Sequence, residues 1–97
     1  MKSIVTNRMD RCFYCGATHN IEEHHIIYGL GLRDLSEKYG LKVGLCPICH
    51  RDGKRGVHGC NKKLDHLLKK KAQKAFMKHY PDLDFMSIFH RNYLDEQ

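Results

Sequence analysis

Tryptophan is absent from this sequence of 97 residues, and proline occurs only twice. No apolar run approaches the length that spans a membrane, and residues 1–8 lack the apolar segment of a secretory signal. We therefore expect a cytoplasmic protein that has no membrane partner and keeps its cysteines reduced. Because hydrophobic residues make up 41% of the chain, the core of this single domain, residues 1–97, should be small and should need a bound metal ion for stability.

Acidic residues are fewer than basic ones. Asp and Glu number 11 against 17 Lys and Arg, which gives a net charge of +6 and an isoelectric point near 9.2. This balance favours a polyanionic partner, most simply nucleic acid. A lysine-rich surface that is merely solvated has the same composition, and charge alone does not separate the two interpretations.

Cysteine is present five times, and four of the cysteines form two Cys-x-x-Cys pairs, Cys12 with Cys15 and Cys46 with Cys49. Four thiolates complete a tetrahedral zinc site and leave no open position, so we expect this Zn²⁺ to be structural. The pairs are far apart in sequence and must meet in space by bracketing the segment between them. Cys60 is interpreted as a spare thiol.

The apolar pattern predicts an α+β fold. Two strands are expected to pair antiparallel, with a single helical turn between them that Gly40 caps. A long helix should begin after Asn61 and end before Pro81, and a shorter helix should follow it. The predicted ranges are strands 21–27 and 41–45, the turn 33–39 and the C-terminal helix 82–94, with a domain core over about 10–80.

Two adjacent histidines, His24 and His25, occupy the first predicted strand. In a regular strand they would point to opposite faces, so a shared site requires the strand to end or bulge there. His50 and His58 follow the second cysteine pair. Imidazole binds divalent transition metals and can also accept a proton near neutral pH. Glu22 and Glu23 are either solvated strand residues or hydrogen-bond partners of a ligand histidine.

These motifs together resemble the HNH endonucleases, and more narrowly the small HNH proteins of phages and prophages. The resemblance rests on EEHHII at 22–27, LCPICH at 45–50 and the segments HHIIYG at 24–29, LSEKYGL at 35–41, GVH at 56–58 and IFHRNYL at 88–94. It covers roughly residues 10–94. The similar proteins commonly have glycine at the position of His90.

The resemblance implies a small zinc-stabilised ββα-metal fold with an additional C-terminal helix. It assigns His25 as the general base and His24, His50 and His58 as ligands of a divalent ion such as Mg²⁺, Mn²⁺, Ni²⁺ or Zn²⁺. The middle Asn of the family is missing between residues 28 and 45. In relatives it orients the base, and a backbone carbonyl near Gly40 is one possible replacement.

The activity expected from the resemblance is hydrolysis of DNA phosphodiester bonds in the cytoplasm of a bacterial host cell. Four basic side chains are candidates for holding DNA phosphate: Arg33, Arg51, Lys54 and Arg55. Phage packaging or recombination proteins are possible partners. The alternative is a non-catalytic, zinc-stabilised DNA-binding module of a phage or prophage, which has no need of His25. The third interpretation is a structural zinc protein of a phage complex, which the basic charge disfavours.

Overall fold

The computed structural model describes residues 1–94, which form a two-stranded antiparallel sheet and four helices. The fold class is α+β, as predicted. The elements in chain order are β1 (Glu22–His25), α1 (Leu32–Tyr39), β2 (Lys42–Leu45), α2 (Pro47–Arg51), α3 (Lys62–His79) and α4 (Phe85–Phe89).

The two strands pair as the sequence predicted, with Glu22 opposite Leu45 and His25 opposite Lys42. All four residues of β2 are buried, because the N-terminal segment packs across the strand. Gly44 makes this packing possible. A Cβ atom at that position would lie 2.7 Å from the backbone oxygen of Met9.

Both strands are shorter than predicted. β1 begins at Glu22 and ends at His25; Ile26 still bonds to the residue opposite it in the same register, and Ile27 is the first residue to bond outside the sheet. The backbone N–H of Ile26 donates to the Leu41 carbonyl at 2.9 Å, and that of Ile27 donates to the Ser36 hydroxyl at 3.1 Å. The end of the strand at His25 is the break that a shared histidine site requires.

Helix α1 is fixed against the end of β1 by a buried serine. The Ser36 hydroxyl donates to the Ile27 carbonyl at 2.5 Å, and the Ser36 carbonyl accepts from the Leu41 N–H at 2.8 Å. The helix spans eight residues rather than the single predicted turn, and Gly40 caps it with a φ of 76°. This anchoring sets the position of Glu37, one residue after Ser36.

Helix α3 contributes the largest part of the buried core. Asn61 caps its start by accepting a hydrogen bond from the Leu64 N–H at 3.1 Å, as predicted. Its buried face meets the sheet and a group of aromatic rings around Phe76. Edge-to-face contacts join Phe76 to Tyr39, Phe85 and Phe89. Within residues 1–94, no helix has the length and apolarity to cross a membrane.

Helix α2 was not predicted, and α4 is shorter than the predicted 82–94. Pro47 occupies the first position of α2, where its missing N–H costs nothing. In α4, Asp84 caps the start, and His90 ends the helix by adopting a left-handed conformation with φ 63°. The chain beyond is held by Gln73, whose side-chain oxygen accepts from the Tyr93 N–H at 2.7 Å. The last residues, 95–97, lie outside the described part of the chain.

Candidate metal centres

The four paired cysteines meet at one point, as predicted. Cys12 and Cys15 lie in a turn closed by a hydrogen bond from the Gly16 N–H to the Cys12 carbonyl, and the other pair lies at the start of α2. All four sulfurs lie within 4.8 Å of one another, and those of Cys15 and Cys46 are 3.6 Å apart. Tetrahedral Zn–S bonds of about 2.3 Å separate sulfurs by about 3.8 Å, whereas a disulfide requires about 2.05 Å. The cluster therefore has the geometry of a zinc site.

The Cys12 thiol has the local environment of a metal-binding thiolate. Burial raises its pKa, but hydrogen bonds from the backbone at Cys15, Cys46 and Tyr14 outweigh burial and bring the pKa to about 6. One of these bonds joins the Cys15 N–H to the Cys12 sulfur at 3.5 Å. Metals bind the thiolate form, which these hydrogen bonds favour at Cys12, whereas burial raises the pKa of the Cys49 thiol.

Three histidines from three different segments form a second cluster. His24 lies on β1, His50 on α2 and His58 on the loop before α3, and one ring nitrogen of each lies within 4.8 Å of the others. Their ring centroids are 4.8 to 5.1 Å apart. Burial decreases from His24 through His50 to His58, which is exposed. The cluster is thus closed on the core side and open toward solvent.

His24 is the member of this cluster that most requires a ligand. Its side chain is buried, yet neither ring nitrogen has a hydrogen-bond partner within residues 1–94. Leaving a buried polar atom unsatisfied costs about 1–3 kcal/mol. Burial, together with the nearby His50 and His58, lowers the pKa of His24 to about 3 and keeps the ring in the neutral, metal-binding form. These residues fit a divalent ion.

Glu22 orients His50 within the cluster. Its carboxylate lies 2.8 Å from Nδ1 of His50, which leaves Nε2 available as a ligand atom. Carboxylates play this role behind many metal-bound histidines. The hydrogen bond with His50 lowers the pKa of Glu22 and is the main cause of that shift. Glu22 is therefore hydrogen-bonded to a clustered histidine rather than merely solvated, and metal binding by that histidine stays a prediction.

His25 follows His24 directly but points another way. Its Nε2 lies 2.8 Å from a carboxylate oxygen of Glu37. The ring nevertheless lines the same small cavity of about 190 Å³ that is bordered by the three clustered histidines, Tyr28 and Arg33. A backbone carbonyl near Gly40 was one possible partner for this histidine, but the Gly40 carbonyl accepts a hydrogen bond from the Ile4 N–H at 2.9 Å. Glu37 contacts His25 instead, and neither its residue type nor its spacing indicated this contact.

Tyr28 forms one wall of the cavity. Its ring centroid lies 4.9 Å from that of His58, and its hydroxyl donates to Asp65 at 3.0 Å. Lys69 in turn pairs with Asp65 at 2.9 Å. Burial, followed by the nearby Asp65 charge, raises the pKa of Tyr28 to about 12, so the phenol keeps its proton. The ring therefore packs against the histidine cluster, and Asp65 holds its hydroxyl in place.

The four basic candidates for phosphate contact are distributed unevenly. Arg33 is exposed and lines the cavity. Arg51 forms an ion pair with Glu22 at 2.6 Å. Arg55 lies near Asp52, and Lys54 is in the same exposed turn. The site therefore has Arg33 at its opening and Arg51 beside His50, with the other two farther along the loop.

No family model, curated protein or solved structure matches this chain. Its function is therefore argued from the residues of these two clusters.

Proposed function

We propose that this protein is a metal-dependent endonuclease of the HNH type, which hydrolyses phosphodiester bonds in DNA. The observation that carries the proposal is His24, a buried imidazole that lacks a hydrogen-bond partner in the described chain and lies beside His50 and His58. A set of three imidazoles without a carboxylate favours Ni²⁺ or Zn²⁺ over Mg²⁺ as the divalent ion.

The order of elements supports this assignment. Two antiparallel strands followed by a short helix are the parts expected of a ββα-metal unit, with His24 on β1 and His50 on α2. We assign the cysteine cluster to a structural Zn²⁺, because four sulfurs leave no open position for a substrate. The cysteine cluster would then stabilise the fold, and the histidine cluster would act on the substrate.

The residues of the cavity have separate roles in the proposed reaction. An ion held by His24, His50 and His58 would neutralise charge on the scissile phosphate and the leaving 3′ oxygen. His25 accepts the proton of the attacking water. Arg33, exposed at the edge of the cavity, holds a phosphate oxygen. The products carry 5′-phosphate and 3′-hydroxyl ends.

Charge supports DNA as the substrate. The net charge of +6 matches a polyanion, and α3 exposes lysines along much of its length. Such contacts with phosphates provide affinity without reading sequence and weaken as salt increases. Cleavage should therefore become slower as the salt concentration rises at constant concentrations of DNA and metal ion.

A plasmid-nicking assay tests the proposal. Wild-type protein is incubated with supercoiled plasmid and Mg²⁺, Mn²⁺, Ni²⁺ or Zn²⁺ in turn, beside His25→Ala. The control is His19→Ala, which removes an exposed histidine outside both clusters. We expect His25→Ala to lose about 10²- to 10⁴-fold in rate with DNA affinity unchanged. The control should cleave like wild type.

The pH profile and the negative outcomes are equally informative. Wild-type activity should fall at acidic pH, because a protonated imidazole cannot accept a proton from water. DNA binding without cleavage by any of the four ions would replace the nuclease with the DNA-binding module. Full activity of His25→Ala would move the general base to another residue.

A further inference from the structure

The contact between His25 and Glu37 determines which ring nitrogen can act as a base. His25 is 92% buried and its Nε2 lies 2.8 Å from the Glu37 carboxylate. Since a carboxylate only accepts hydrogen bonds, Nε2 must carry the proton. The other nitrogen, Nδ1, has no hydrogen-bond partner among residues 1–94. In the neutral ring, Nδ1 is therefore the free acceptor.

Glu37 itself is held firmly in its ionised form. Lys42, almost wholly buried, donates to both of its carboxylate oxygens at 3.0 and 3.1 Å. The hydrogen bond with His25, with Lys42 contributing, lowers the pKa of Glu37 below its usual range. The buried Ser36 anchors the same helix to the end of β1. The carboxylate is fixed in place by the fold before any substrate binds.

We propose that Glu37 is the positioning residue of the site: it holds His25 in the Nε2–H tautomer and directs Nδ1 to the water that attacks phosphorus. The inference rests on the proposed nuclease function and deepens it. Glu37 touches neither substrate nor water in this scheme and acts only through the imidazole.

The proton balance of the step is simple. As the water oxygen bonds to phosphorus, its proton passes to Nδ1 of His25, and the bond between phosphorus and the 3′ oxygen breaks. The 3′ oxygen takes a proton from solvent. The imidazolium formed in the step lies beside the Glu37 carboxylate, which stabilises its charge. A later exchange with solvent returns the ring to its neutral form.

We favour this interpretation over a further metal site formed by Glu23, His25 and Glu37. Glu23, His25 and Glu37 bring potential ligand atoms within 4.8 Å of one another. The Lys42 ammonium lies among them, however, 3.2 Å from Glu23 and 3.0 Å from Glu37. The cation of this group is therefore supplied by the protein itself.

The tautomer can be read directly by NMR of the zinc-loaded protein carrying ¹⁵N-labelled histidine. We expect His25 to show a protonated Nε2 and an unprotonated Nδ1 at pH values where the ring is neutral. In Glu37→Ala the two tautomers should interconvert and their signals average. This measurement needs no cleavage activity, so it separates failure of the inference from failure of the proposed function.

Single-turnover cleavage provides the second readout. Glu37→Ala should lower the rate constant about 10- to 100-fold, while the dissociation constants for DNA and the divalent ion stay within about twofold. Glu37→Gln, which keeps an acceptor oxygen, should recover part of the rate. The matched control is Glu23→Gln. It removes the charge of a carboxylate that lies 3.5 Å from the same Nε2 and 3.2 Å from Lys42, but keeps the 2.8 Å bond. Its rate should therefore stay within about fivefold of wild type.

Three results would overturn the inference. The first is a wild-type protein in which the His25 proton resides on Nδ1. This test does not depend on whether Glu37→Ala folds. The second is a Glu37→Ala variant that is folded and fully active. The third is an equal loss of rate in Glu23→Gln, which would assign the effect to charge rather than to the hydrogen bond. A wild-type protein that cuts no DNA, but shows the Nε2–H tautomer, would refute the nuclease and not the contact.

Discussion

At the scale of single residues, the members of the histidine cluster differ in their hydrogen-bond partners. His24 has none within residues 1–94, and the proposed ion would bind one of its two ring nitrogens. His50 has Glu22, which fixes the direction of its free nitrogen. The three rings therefore differ in how strictly their orientation is set before metal binding. The proposed ion would complete the orientation of His24, whereas Glu22 sets that of His50 in advance.

Replacement of Glu22 tests this arrangement. Glu22→Gln should weaken binding of Ni²⁺ or Zn²⁺ at the histidine cluster by about 10- to 100-fold, the usual effect of losing such a partner. Titration calorimetry of protein whose cysteine cluster is already filled measures the change. Glu23→Gln, on the same strand but not bonded to a ligand histidine, is the control. Equal affinity in Glu22→Gln and wild type would contradict the role of Glu22.

Residue types and spacing predicted the cysteine cluster, because cysteine pairs are informative on their own, whereas the set of His24, His50 and His58 followed from the resemblance. Residue types and spacing were not enough to identify Glu37. This residue lies twelve positions after His25, and its contact depends on the way Ser36 anchors α1. An acidic residue in an amphipathic helix looks like any solvated one until the tertiary packing is known. The missing Asn was visible in the sequence, whereas its replacement was not.

At the scale of secondary structure, the histidines of the candidate site lie on short elements and a loop. The predicted strands and the long helix agree with the structure because their apolar patterns are strong. Helix α2 has five residues, too few to show a period, and only Pro47 at its first position indicated it. The final helix has the right apolar spacing over 82–94, but His90 ends it, because left-handed backbone cannot continue a helix. Hydrophobic spacing gives no information on such a stop.

The left-handed conformation of His90, at the end of α4, leads to a prediction about stability. His90 has φ 63°, a conformation that costs other residues about 1–2 kcal/mol and glycine almost nothing. His90→Gly should therefore raise the free energy of unfolding by about 0.5–1 kcal/mol after the entropy cost of glycine. Urea unfolding of the metal-loaded protein measures it. Lys74→Gly, in the middle of α3, should instead lower stability by about 1 kcal/mol. A destabilised His90→Gly would show that the imidazole itself is needed.

At the scale of the whole molecule, the cysteine cluster is continuous with the hydrophobic core. Within residues 1–94, sixteen apolar side chains are buried, and three of them are Cys12, Cys46 and Cys49. Removing an ion from this cluster would thus leave thiols facing one another inside the core. In a domain of this size the free energy of metal binding is a large share of the folding free energy.

Metal removal should therefore unfold the protein. A strong chelator is expected to abolish the helical circular dichroism signal cooperatively, and added Zn²⁺ should restore it. Cys46→Ser should fail to refold under the same conditions. Cys60→Ser removes an exposed cysteine outside the cluster and should behave like wild type. A chelated protein that keeps its helices would show that the cluster is dispensable for folding.

If both clusters bind ions, the adjacency of Cys49 and His50 on α2 predicts the order in which they bind. Neighbouring positions on a helix face directions about 100° apart, so this short helix presents a sulfur to one cluster and an imidazole to the other. We expect His50 to reach His24 only when the cysteines are held together by zinc, because Cys49 and His50 share this helix. A metal-free chain would fill the cysteine cluster first and the histidine cluster second. A cell short of zinc would then hold an inactive protein, however plentiful its second metal.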